Sequence, residues 1–240
     1  KEFTTSIKNV MAERRFNEFQ FKDHIASFEE GTGRIEDLLL PAYRAVLQAG
    51  ELENTPEQQA ALAAFVAFQF VRTKAHRDRW KRVEDGLRSR IGSIGGRLED
   101  IDGFGDSTEN AHKKHHLLGI KKYVSEFAPI IALKSFMLIR APKGHFFYLG
   151  DNPVALHNSR DFGPNGNIGL AVSGIEIYLP LSSELVLCAL CPTLVGDMRT
   201  EFEDSRRARQ EEIVANLVNG KLIVADSIRI RDQIATLEHD

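Results

Sequence analysis

Cysteine is nearly missing from this chain: two in 240 residues, Cys188 and Cys191, forming a single CxxC in LVLCALCP. No second pair accompanies them, so a structural zinc site is not indicated. On an extended strand the two would face opposite ways, and they are expected to be core thiols. No charge of one sign dominates; the net charge is -3, so no global basic field announces nucleic acid. No apolar run reaches the roughly 18 residues of a spanning helix, and nothing reads as a signal peptide. No membrane partner is therefore expected, and a reducing, cytoplasmic compartment is the default. Walker, GxSxG and GxGxxG loops are missing as well. So is an initiator Met: the chain begins KEFTTSIKNV, and an N-terminal element preceding Lys1 is expected.

What is present is ordinary for a globular chain, with 42% hydrophobic and 27% charged residues. One α+β domain over 1–240 is expected, mainly helical over 1–128 and sheet-containing over 129–240. N-terminal helices should pack on a mostly antiparallel sheet, with a helix at the C-terminal end. Ile35, Leu38, Leu39, Ala42, Val46 and Leu47 recur at helical spacing, with a kink or break expected at Pro41. Thr55 and Pro56 mark the start of a second helix, predicted to run to about Arg90. A glycine-rich connector over 91–107 is expected to be a flexible flap, and another helix should span Glu109 to about Phe127.

Beyond Pro129 the pattern turns to strands: KSFMLIRAP and GHFFYLGDNPVAL around a turn at 141–144, with 146–149 as strand. GIEIYLPLSSELVLCAL predicts two more, joined at 180–183. A polar helix is predicted over about 203–218, followed by KLIVADS as a short strand or helix.

The stretch FVAFQFVRTKAHRDRW, residues 65–80, places Gln69 and Arg72 among phenylalanines. The segment is apolar all round and should be buried. Along a continuous helix Gln69, Arg72, Thr73, His76 and Trp80 share one arc, with Arg77 on its shoulder. His76, Arg77 and Arg79 lie toward the emerging, more easily solvated end. A buried guanidinium cannot shed its proton and requires an anion. Two readings compete: a structural pair that docks the helix, or a pocket floor that receives a phosphate or carboxylate. In FFYLGDNPVAL, Asp151 and Asn152 before Pro153 read first as a turn. At a strand end beside a buried helix they can also line a cleft, with Asp151 as the anion that answers Arg72.

His112, His115 and His116 sit at i, i+3 and i+4, a spacing that suits a shared helix face. Their ligand set is incomplete and Lys113 and Lys114 intervene, so no metal ligands are assigned; His116 is the candidate proton carrier. The basic run RTKAHRDRWKR, 72–82, reads as a solvated helix end or as a grip on phosphates.

FVAFQFVRTKAHR together with FFYLGDNPVAL resembles the bacterial domain-of-unknown-function family 4238. Its members carry an Arg-Thr helix signature and a strand ending in Ser-Asp-Asn-Pro. Gly150 stands here in place of the usual serine. The resemblance extends to YLPLSSELVLCAL and to EEIVANLVNGKLIVADS, where Asn216 matches an asparagine of the closing helix. It implies Gln69, Arg72, Thr73, Asp151, Asn152 and Asn216 as signature positions, with Arg77 and His116 beside them. Family members also open with a Gln-His element, which this chain lacks. The resemblance specifies no reaction.

The leading expectation is a phosphate-handling hydrolase that cleaves RNA or a nucleotide, of a toxin or phage-defence type. Arg72, Asp151 and His116 would be catalytic; Gln69, Thr73, His76, Arg77, Asn152 and Asn216 would bind substrate. A divalent metal is compatible with Asp151 and Asn152 but not indicated. The alternative is a non-enzymatic module for an acidic ligand or a partner protein, with Gln69, Arg72 and Asp151 as a structural network.

Overall fold

The computed structural model describes residues 15–101, 104, 108–160, 162–163 and 168–218, with side chains as far as 212. The chain divides into two compact units, Lys1–Cys191 and Pro192–Asp240. The fold is α+β, built from helices and antiparallel sheets.

Among the described residues, the first unit begins with a hairpin. β1 (Glu18–Phe21) and β2 (His24–Ser27) pair antiparallel around Lys22-Asp23, and Lys22 takes a positive φ of 52°. Each strand has four residues, too short for its alternation to stand out from the helical pattern that follows.

α1 (Glu29–Ala49) runs unbroken through Pro41. The lost ladder bond and ring clash cost about 3 kcal/mol. Burial of Leu39 and Val46 on either side, at about 1.5–3 kcal/mol each, offsets that. α1 stops at Gly50, whose φ of 68° lets its N–H reach the Val46 carbonyl at 2.8 Å. A side chain there would also meet the Arg140 guanidinium, which donates to the Gly50 carbonyl at 2.6 Å.

α2 (Pro56–Val71) starts as expected, with Thr55 capping and Pro56 at its first position. It is the core helix: Leu62, Phe65, Val66, Phe68 and Val71 are buried, and its main neighbour is α4 (Glu109–Ala132). α2 does not continue to Arg90. Arg72 closes it, and Thr73, in extended conformation (φ −85°, ψ 155°), begins α3 (Lys74–Ser93). The Thr73 hydroxyl donates to the Phe70 carbonyl at 3.1 Å and accepts from the His76 N–H at 3.2 Å. One side chain thus serves the end of one helix and the start of the next. A 3-10 turn at Leu98–Asp100 follows α3; most of the glycine-rich segment beyond it lies outside the described residues.

The sheet has the order β3-β6-β5-β4, antiparallel throughout. Its strands are β3 (Ser135–Arg140), β4 (Ala155–His157), β5 (Glu176–Pro180) and β6 (Leu185–Leu190). β6 is central and every residue of it is buried. Residues 146–149, expected to be a strand, are not one. They cross the tip of the β5–β6 hairpin, where the Phe147 N–H finds a single acceptor, the Ser183 carbonyl at 2.8 Å. A strand needs a ladder, and the tip supplies one rung. Cys188 and Cys191 are buried free thiols. Burial pushes the Cys188 thiol up to about 12, which keeps it protonated and unreactive.

In the second unit, α5 (Pro192–Val218) begins eleven residues earlier than its polar composition indicated, directly after Cys191. The segment KLIVADS lies outside the described residues.

Replacing Thr73 with alanine removes both bonds of the junction. It should cost about 1 kcal/mol in urea unfolding, within the range for lost N-caps, whereas Thr73→Ser should stay close to wild type.

Candidate functional site

The buried face of α2 brings Phe68 and Gln69 to a cavity of about 750 Å³, and Arg72, Thr73 and Lys74 continue that wall. α1 contributes Glu29, Thr32 and Glu36; the loop beyond the β5–β6 tip contributes Leu149, Gly150, Asp151 and Pro153. The size lies within the range of small-molecule sites. Gln69, Arg72 and Thr73 of the polar arc therefore line one concavity with Asp151 and Pro153 of the corner, whereas His76 and Trp80 do not line it.

The pairing inside it differs from expectation. Arg72 forms its ion pair with Glu36 of α1, and no contact with Asp151 occurs among the described residues. Nor is Arg72 buried. Its side chain is 41% exposed and that of Glu36 39%, with the guanidinium 5.4 Å from the Phe68 ring centre. The reason is the helix break: Arg72 is the C-cap of α2 and swings out over Phe68 instead of lying inside a continuous barrel of apolar groups. At this exposure the pair contributes about 1 kcal/mol or less. It sets direction more than stability.

The buried arginine is Arg77, 5% exposed, with its guanidinium 4.7 Å from the Phe16 ring. Reading one helix through 56–90 placed it at a solvated end. With α3 starting afresh at Lys74, Arg77 and Glu84 become the two most deeply buried residues of α3.

His116 is also buried, at 4% exposure, and does not line the cavity. Its Nε2 lies 2.7 Å from the Val71 carbonyl, so Nε2 carries the proton and donates. Val71 ends α2, and its carbonyl is among those a helix leaves without an internal donor. His116 thus satisfies the C-terminus of the core helix. His76 packs 5.9 Å from it, with Phe70, Tyr123 and Phe127 around. The Nδ1 atoms of both imidazoles are buried and have no hydrogen-bond partner among the described residues. Burial, then the neighbouring His116 and Arg79, push His76 down to about 4. Burial likewise lowers His116. Both are neutral at physiological pH.

The three histidines of α4 diverge. His112 contacts Glu84 at 2.8 Å, His115 contacts the Tyr123 hydroxyl at 2.9 Å, and His116 turns to Val71. No group of three or more His, Cys, Asp or Glu among the described residues is placed to hold a metal ion. The Thr73 hydroxyl is committed to the helix junction. Asn152 is exposed and does not line the cavity, and the Asn216 side chain lies outside the described residues. Sequence reasoning missed Glu29, Glu36 and Lys74. The seven-residue spacing of Glu29 and Glu36, two turns of helix, was the available signal for an acidic stripe on α1.

The sequence pattern of the family described as Protein of unknown function (DUF4238) matches residues 1–224. The chain belongs to that family. No curated protein and no solved structure matches it. Among the described residues of this DUF4238 chain, no helix is long and apolar enough to cross a membrane. Gly150 has open space around it: a side-chain carbon there meets no atom within 4 Å.

Because His76 is held near 4 in the fold and titrates near 6.5 when unfolded, the unfolded chain takes up a proton the native state excludes. Stability should therefore fall as pH drops from about 6.5 toward 4. Thermal melts at pH 7.5 and 5 should show a smaller loss for His76→Phe than for wild type.

Proposed function

We propose that this DUF4238 cavity binds a phosphate group and that the protein is a hydrolase acting on RNA or a nucleotide. The observation that carries this reading is the shared wall of Arg72, Lys74 and the first turn of α3, facing a cavity that also takes in Asp151. First-turn N–H groups of a helix have no intrahelical acceptor and make a positive pole. A guanidinium, an ammonium and that pole on one wall suit an oxyanion. Glu36 occupies one nitrogen of Arg72, which aims the fork and leaves further donors for a ligand.

Gln69 is half-buried on the same wall, and its carboxamide makes no hydrogen bond among the described residues. In the proposal it donates to a phosphate oxygen or a sugar hydroxyl. Asp151 is exposed and likewise has no partner among the described residues. As a carboxylate it would accept the proton of an attacking water or hydroxyl while Arg72 and Lys74 offset the charge growing on phosphorus-bound oxygens. His116 is given no part in proton transfer, since it is buried off the cavity wall.

A second reading, a module that binds an acidic ligand without turning it over, is favoured by one observation. Among the described residues, no histidine lines the cavity.

Purified protein incubated with RNA and with nucleoside phosphates separates the two. The hydrolase reading expects product from wild type, a loss of about 10²–10⁴-fold for Asp151→Asn, and weaker phosphate binding for Arg72→Ala with little change in melting temperature. Phosphate binding without product would support the module. Identical product profiles for wild type and both variants would end the proposal.

A further inference from the structure

Away from the cavity, α3 and α4 meet along a seam whose charge departs from that of the chain. α3 holds seven Lys and Arg against three Asp and Glu; α4 holds four against two. The two helices carry +6 in a chain whose net charge is -3. Their acids are mostly engaged within the fold. Asp78 bridges Lys74 at 3.3 Å, Asp85 bridges Arg88 at 3.4 Å, and Glu84 is buried against His112 and Arg88. Glu126 lies 3.8 Å from Lys122. Arg79, Lys81, Arg82 and Lys121 are exposed and form no ion pair among the described residues.

At the seam Trp80 lies flat on His115, with ring centres 5.3 Å apart and planes 12° from parallel. Trp80 remains 41% exposed, with Val83 and Leu118 open beside it. His115 is fixed by the Tyr123 hydroxyl, and burial together with His112 and Lys122 lowers its basicity. The helical repeat sets Val83 on the same face as Trp80, and Leu118 and Lys122 on the same face as His115. Arg79 and Lys81, both exposed, flank Trp80 about a quarter turn to either side, Arg79 with its guanidinium 5.2 Å from the Phe70 ring centre. An exposed apolar ring in a row of cations does nothing for the core. It suits a partner that brings negative charge and flat rings together.

We infer that the α3–α4 seam is a binding surface for single-stranded nucleic acid: Trp80, backed by His115, stacks an unpaired base, and Arg79, Lys81 and Lys122 track the backbone phosphates. Duplex nucleic acid would offer phosphates but keep its bases stacked on one another. This surface is separate from the cavity and stands or falls independently of the reaction proposed there.

Trp80 is the sole tryptophan of the chain, so intrinsic fluorescence reports on this ring directly. Titrating the full chain with oligouridine and with oligothymidine at 50 and 200 mM salt should quench it, with affinity falling as salt rises. Exchanging Arg79, Lys81 and Lys122 together for glutamine should lower the slope of log K against log salt by about 2, at about 0.7 per phosphate contact. Trp80→Leu, followed by anisotropy of a labelled oligonucleotide, should bind about tenfold or more weakly, in line with the loss of one stacked base. Arg72→Ala should leave the quenching unchanged, so a failure at the seam and a failure at the cavity are told apart. No quenching at 50 mM salt would overturn the inference. So would equal binding by wild type and Trp80→Leu, or heparin binding as tightly as the oligonucleotides and quenching as strongly.

Discussion

The junction between α2 and α3 is the constraint on which the first unit turns. A helix that stops inside a protein leaves its last carbonyls needing donors. Here the Phe68 carbonyl takes the Arg72 N–H at 3.0 Å, the Phe70 carbonyl takes the Thr73 hydroxyl, and the Val71 carbonyl takes His116. Because the donors come from the break itself and from α4, stopping α2 and docking α4 are one event. Thr73 then restarts the chain as α3. Had the helix run straight, Arg72, His76 and Arg77 would have stayed on adjoining parts of one face. The break sends Arg72 to the cavity and Arg77 into contact with Phe16, and it sets His76 among aromatic rings.

That redistribution decides the electrostatics. Arg72, half-exposed, keeps its charge next to water and needs Glu36 mainly for aim. The histidines are the opposite case: enclosed by Phe70, Tyr123 and Phe127, they are cheaper neutral than charged. The cations available for a ligand are therefore the ones the fold leaves near solvent, on the cavity wall and along the α3–α4 seam. A net charge of -3 conceals the seam, whose two helices carry +6; the cavity wall mixes its two cations with Glu29, Glu36 and Asp151.

Much of this was legible in the residues, and the failures have specific causes. The all-round apolar pattern that begins at Phe65 identified the core helix, and Gln69 and Arg72 do line a cavity with Asp151 and Pro153. The β5–β6 pair followed from its apolar runs and the ProLeuSerSer turn. The break at Arg72-Thr73 was missed because threonine is tolerated within helices as well as favoured before them; only the hydroxyl geometry tells which applies. Once the break was overlooked, the exposures of Arg72 and Arg77 came out reversed. The partner of Arg72 could not be read either, since Glu36 lies 36 positions away and is one acid among many. Residues 146–149 have the composition of a strand, but strand formation depends on a neighbour, which composition does not report.

The position of Asp151 has a similar origin. It is not drawn to Arg72 by charge, since no ion pair joins them among the described residues. Two residues after Asn152, Val154 is buried, and directly beyond it β4 takes its place on the sheet edge beside β5. On the other side the Phe147 N–H is held by the hairpin tip. Between these anchors the chain must turn, and Gly150-Asp151-Asn152-Pro153 supplies the residue types a turn uses. Asp151 is thus placed by the backbone, with its oxygens uncommitted among the described residues. A carboxylate held by an ion pair would have to surrender that pair to act on a ligand. One held by its loop surrenders nothing, which is why the proposed hydrolysis assigns the proton to the corner and leaves charge neutralisation to the arginine.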